Sequence, residues 1–103
     1  MDEREFEAAA EAALELIERQ LDATGLDFEV KDGGVIEIAL DDGSKVIVNR
    51  HRAAQEIWLA ARSGGYHFRL DGGRWIGTRS GEELTAALSR CLSEQAGRTV
   101  GLG

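Results

Sequence analysis

The residues best suited to chemistry in this chain are carboxylates, and they come in a pattern. Glu3, Glu7, Glu11, Glu15, Glu18 and Asp22 recur every three or four positions over the first 22 residues. On an α-helix that spacing gathers them into one stripe, and like charges at i,i+4 repel by about 0.2–0.5 kcal/mol per pair. No Lys breaks the stripe, and only Arg4 and Arg19 relieve it locally. A helix that accepts this self-repulsion is expected to face something positive, either a cation or a basic protein surface. Carboxylate oxygens are hard ligands that suit ferrous and ferric iron, Mn, Ca and Mg. Tight iron sites generally add His, yet neither His51 nor His67 lies in the acidic third. A row of surface carboxylates is also not a closed cage. The pattern therefore predicts weak, multiple and poorly selective cation binding that salt competes away. Taken on the residues alone, a plain solvated helix face is the other reading of the stripe.

Charge placement sharpens this. The chain has 103 residues and a net charge of −7. Residues 1–32 hold eleven acids and three bases, whereas residues 33–103 hold eight acids and nine bases, so the whole negative excess sits in the first third. Such a surface disfavours nucleic acid and anionic membrane as partners. No apolar run approaches the ~20 residues that span a bilayer, and the acidic start lacks the pattern of a secretory signal. Cys91 is the only cysteine, which excludes an internal disulfide and agrees with a cytoplasmic setting. No CxxC or phosphate-binding loop is present, and no Ser or Cys nucleophile has a base partner by motif, so no catalytic residue is assigned. Cys91 falls on an apolar helical stripe and reads as core. His51, in Asn49-Arg50-His51-Arg52, reads as a solvated connection residue.

The elements that must position these groups follow from periodicity and turn chemistry. Phe6, Ala10, Ala13, Leu14, Ile17 and Leu21 form the apolar face of a first helix over roughly 2–22, closed near Gly25. Five or six short strands follow, over 26–30, 35–40, 44–49, 55–61, 66–70 and 74–78, with turns at 31–34, 41–43, 63–65 and 71–73. Segment 55–61 is compatible with helix, but its sheet-like neighbours favour strand. Ser80-Gly81-Glu82-Glu83 has the form of a capping box. Leu84, Ala87, Leu88, Cys91 and Leu92 then run at helical spacing until Gly97. Short turns between consecutive strands demand antiparallel pairing. The expected class is α+β: one domain over 1–103, a two-layer sandwich in which N- and C-terminal helices cover one face of an antiparallel sheet.

Alternation sorts the strand residues into two faces. Ile36, Ile38, Leu40, Val46, Val48, Ile57, Leu59, Tyr66, Phe68 and Leu70 are expected under the helices. The open face then carries Trp58 among Lys45, Asn49, Glu56, Arg62, His67 and Arg69, the composition of a protein-binding hot spot or of an indole packed flat under Arg stems.

The segments Gly34-Val-Ile-Glu-Ile38, Asp42-Gly-Ser-Lys-Val-Ile-Val-Asn-Arg50, Ile57-Trp-Leu-Ala-Ala61 and Gly64-Gly-Tyr-His-Phe68, followed by Trp75 and Ser80-Gly-Glu82, resemble the bacterial frataxin family in order and spacing. The resemblance runs from Glu5-Phe6 to Gln95-Ala-Gly97. It implies a frataxin-like fold and an iron-binding accessory protein of iron–sulfur cluster assembly. It implies, too, that the ridge of helix 1 and strand 1 binds iron and docks on a cysteine desulfurase, while the sheet face meets the cluster scaffold protein. Matching ridge positions are Glu18 and Asp22, Asp27 and Glu29, and Asp41; Asn49 and Trp58 match on the sheet. With the stripe included, the expected iron ligands are Glu11, Glu15, Glu18, Asp22, Asp27, Glu29 and Asp41. The expected partner contacts are Glu7, Glu11, Glu18, Asp22, Asn49, Glu56, Trp58 and His67. The chain departs from the family pattern at Arg19 and Ala23, where paired acids are common, at Ala53 in place of Pro, and at Glu56 in place of Gln.

The reading is thus a monomeric adaptor with iron held loosely at surface carboxylates. A metal-independent module for a basic partner and a ferroxidase are the alternatives.

Overall fold

The computed structural model describes residues 1–102. The elements run α1 (Glu3–Asp22), β1 (Asp27–Lys31), a 3-10 turn (Asp32–Gly34), β2 (Val35–Ala39), β3 (Lys45–His51), β4 (Glu56–Ala61), β5 (Gly64–Asp71), β6 (Arg74–Gly77) and α2 (Leu84–Ala96). All strands pair antiparallel in sequence order, β1 through β6. This is the expected α+β sandwich. The 55–61 segment is a strand, as its neighbours required.

The core lies between the helices and the predicted sheet face. Ile36, Ile38, Val46, Val48, Ile57, Leu59 and Phe68 meet Phe6, Ala10, Leu14, Ile17 and Leu21 of α1 and Leu84, Ala87, Leu88, Cys91 and Leu92 of α2 in one buried cluster. Phe6 packs edge-on against Trp75, with ring centroids 6.1 Å apart. Burying such side chains contributes about 1.5–3 kcal/mol each, so the apolar stripe of α1 fixes the rotation of that helix and hence the direction of its acids. The C-terminal tail closes the layer. Ser93 Oγ exchanges hydrogen bonds with the backbone N–H and C=O of Val100, and Ser89 Oγ accepts from Leu102 N–H.

Three local expectations are corrected. The predicted capping box at Ser80 does not start α2, because Gly81 takes φ +73° and the chain turns there. Ser80 Oγ instead accepts from Glu82 N–H, and Glu83 is the cap, its carboxylate accepting from the N–H groups of Thr85 and Ala86. Gly64 and Gly65 belong to β5, and the turn before it lies at 62–63. Finally, β3 extends through Arg50 and His51, which places His51 on the open face rather than in a solvated connection.

Candidate functional site

Two surfaces emerge, one acidic and one aromatic. In α1, Asp2 caps the helix by accepting from Glu5 N–H at 2.8 Å. The buried stripe then turns Glu11, Glu15 and Asp22 fully outward, with Glu18 half-buried. At 1.5 Å rise per residue, Glu11 to Asp22 is a row about 16 Å long. None of these four carboxylates forms an ion pair among the described residues. Asp27 and Glu29 of β1 are exposed as well. Asp41 is exposed on the separate β2–β3 hairpin. Among the described residues, no three His, Cys, Asp or Glu side chains converge on one point that could hold a metal. The donors fit a hard cation chemically, but as a row rather than a cage.

Glu7 stands apart from the other acids in the stripe. Its carboxylate accepts from Arg50 Nη1 at 3.0 Å and from Arg52 Nε at 2.8 Å, both reaching it from the β3 side. Arg50 is on the helix-facing side of the sheet, and its side chain is only 14% exposed. It lies against Gly34, where an added Cβ would fall 2.5 Å from Arg50 Nη2. The ridge open to a partner therefore begins at Glu11. Sequence periodicity found Glu7 but not its partners, which lie more than forty residues away. Glu37 was also missed as a ridge neighbour. It sits directly across from Glu29 in the β1–β2 register and accepts from Lys45 at 3.1 Å, with Lys31 at 3.7 Å. The Lys45 hydrogen bond outweighs partial desolvation and, with the two lysine charges, lowers the Glu37 pKa.

On the open sheet face the expected exposed Trp58 is half-buried. Its indole is sandwiched between His51 and His67, at centroid distances of 3.9 and 4.5 Å and interplanar angles of 7° and 9°. His67 is its direct neighbour on β5, and Asn49 its direct neighbour on β3. His51 reaches the indole diagonally from its place opposite Glu56. The flat packing under Arg stems is replaced by packing between imidazoles, because β3 runs two residues further than expected.

Glu56 is the one charged residue among the described residues that is buried, at 7% exposure. Its carboxylate accepts from Trp58 Nε1 at 2.9 Å and from Arg69 Nε at 3.0 Å, and lies 3.4 Å from His67 Nδ1. Desolvation pushes its pKa up. The two hydrogen bonds and the Arg69 charge prevail, so the net shift is downward. Of the predicted sheet contacts, Asn49, Trp58 and His67 thus come together at the surface, while Glu56 sits beneath them.

Both surfaces can be set beside known proteins. A Frataxin-like domain model matches residues 1–98. The chain is 53% identical over 102 residues to the iron-sulfur cluster assembly protein CyaY of Dechloromonas aromatica, covering 97% of each protein. The chain belongs to the frataxin family. It is 46% identical to the CyaY protein of Neisseria meningitidis serogroup B, over 97% of this chain and 94% of that one. Among solved structures, the frataxin of Psychromonas ingrahamii superposes with a TM-score of 0.88 at 29% identity, covering 98% and 97% of the two proteins. The ferrous complex of trimeric frataxin from Saccharomyces cerevisiae shares the fold at a TM-score of 0.67 and 24% identity, covering 95% and 88%. In this fold β1 and β6 are the edge strands, and both helices cover one sheet face, leaving the other open. No helix among the described residues is long and apolar enough to cross a membrane.

Proposed function

We propose that this frataxin-family protein is an accessory factor of iron–sulfur cluster assembly, not an enzyme. In this reading it carries iron as cargo on Glu11, Glu15, Glu18, Asp22, Asp27 and Glu29, with Asp41 as an outlying ligand. The same ridge docks on a basic surface of a cysteine desulfurase, and Asn49, Trp58 and His67 meet the cluster scaffold protein. The observation that carries the proposal is the row Glu11–Glu15–Glu18–Asp22, exposed save for the half-buried Glu18 and free of ion pairs among the described residues, in a protein 53% identical to an assembly protein. Its carboxylates keep their charge available to a cation or a basic partner, whereas Glu7 commits its charge to Arg50 and Arg52. An open row of hard ligands releases iron easily, which suits delivery better than storage.

The decisive experiment is the triple reversal Glu11→Lys, Glu18→Lys, Asp22→Lys. Desulfurase binding in a pull-down should be lost while the circular dichroism spectrum stays native. Unchanged binding would refute the ridge assignment. An NMR titration with Fe(II) should broaden or shift residues 3–32, and a spectrum unmoved there would favour the metal-independent module. A ferroxidase would have to raise the Fe(II) oxidation rate above buffer, and the expected rate equals buffer. The expected monomer, in contrast with the yeast trimer, is checked by sedimentation with and without iron.

A further inference from the structure

The sandwich of rings on the open sheet face has a polarity that neither the composition nor the family likeness supplies. His51 Nδ1 accepts a hydrogen bond from the Ala54 N–H at 3.2 Å. A nitrogen that accepts is unprotonated, so the proton of neutral His51 resides on Nε2. His67 is the reverse. Its Nδ1 lies 3.4 Å from the Glu56 carboxylate, an acceptor with no proton to give, so the proton of neutral His67 is drawn to Nδ1 and its Nε2 is left as a bare acceptor. The His67 side chain is 47% exposed. His51 is likewise partly exposed on this same face of the sheet. Two imidazoles on either side of one indole therefore offer opposite hydrogen-bonding character: a donor at His51 and an acceptor at His67.

We infer that this face reads the backbone of its partner, taking a peptide carbonyl at His51 Nε2–H and a peptide N–H at His67 Nε2, with the edge of Trp58 between them. The inference rests on the sheet face being a docking surface, as proposed above, and adds what that surface recognises. The spacings of 3.9 and 4.5 Å put the imidazoles about 8 Å apart across the indole. An extended strand rises ~3.3 Å per residue, so a carbonyl and an N–H two or three residues apart span that gap. The occupant is thus an extended segment of the scaffold protein proposed above. A carboxylate-rich segment would satisfy His51 but meet the His67 acceptor with repulsion. Glu56 is the positioning residue: it ties down the indole N–H and sets the His67 tautomer.

Long-range 1H–15N spectra of the histidine side chains, recorded on the whole protein at pH 8.5, above the ordinary imidazole range, report tautomers directly. His51 should appear as the Nε2–H form and His67 as the Nδ1–H form; the same tautomer on both rings would overturn the inference. Glu56→Leu should move His67 to the Nε2–H form, leave His51 unchanged and weaken binding of the iron–sulfur scaffold protein about tenfold, the loss of one net hydrogen bond. Glu56→Gln, which keeps an oxygen acceptor, should retain the wild-type tautomers and bind within about threefold of wild type. A tautomer change in Glu56→Leu without loss of binding would overturn the recognition step. Trp58→Ala tests the underlying reading separately: scaffold binding that survives it would remove the docking face itself, whatever the tautomers show.

Discussion

Arg50 should be the most consequential surface-connected charge in the molecule, because it joins the ridge helix to the sheet. Its guanidinium lies 3.0 Å from Glu7, with side-chain exposures of 14% and 28%. Exposed pairs contribute ~0–1 kcal/mol, and removing one member of a buried pair costs about 3–5 kcal/mol. This pair lies between those limits, since Arg52 still reaches Glu7 but is 63% exposed and screened by solvent. Arg50→Ala also removes the packing of a buried stem. The expected loss is about 2 kcal/mol, or a melting temperature lower by about 8–16 °C for a domain of this size. Thermal and urea unfolding of Arg50→Ala, Glu7→Ala and the double variant should give a coupling of about 1–2 kcal/mol. Gly34→Ala supplies an internal check. Its new Cβ would drive the Arg50 guanidinium off Glu7, so it should cost more in the wild type than in Arg50→Ala, where only the left-handed backbone penalty of ~1–2 kcal/mol remains. A Glu7–Arg50 coupling below about 0.5 kcal/mol, with Gly34→Ala equally costly in both backgrounds, would refute the pairing as a stabilising link.

Other outcomes follow from single residues. Glu56 and Glu83 both have net-lowered pKa values, because hydrogen bonds to the carboxylates outweigh the upward push of burial. Such groups stabilise the fold above their unfolded value, near 4.5, and lose that contribution as pH falls through the folded value; melting temperature should therefore drop from about pH 5 downward, and less steeply in Glu56→Gln. Gln55 holds φ +54° in the β3–β4 turn, a conformation Asn tolerates better, so Gln55→Asn should raise stability by about 0.5 kcal/mol in urea unfolding. Burial pushes the Cys91 thiol up, more than the Ser63 contact lowers it, so iodoacetamide at pH 8 should leave the native protein unmodified and alkylate it only once urea has unfolded it.

The amino-acid order alone determined whatever depends on near neighbours. Phe6 through Leu21 at helical spacing fixed α1 and left the acids on its other side. Turn residues such as Asp42-Gly43 fixed antiparallel pairing, and alternation put Ile36, Val48 and Leu59 in the core and Trp58 outside it. These are short-range rules, in which a residue's face follows from its distance to the next apolar residue. Fold and ridge were therefore legible together. Tertiary structure decided which charges remain free. Glu7 looks like Glu11 in the sequence, yet Arg50 and Arg52 reach it from 43 and 45 residues away, and no cation among the described residues reaches Glu11. His51 read as solvated until two further residues of β3 turned it onto the indole, and Glu56 read as a surface contact until its carboxylate proved to lie beneath Trp58, Arg69 and His67. Strand ends and cross-strand register set these meetings. Both depend on how three strands align and on where long side chains find partners, and no local spacing in the sequence encodes that.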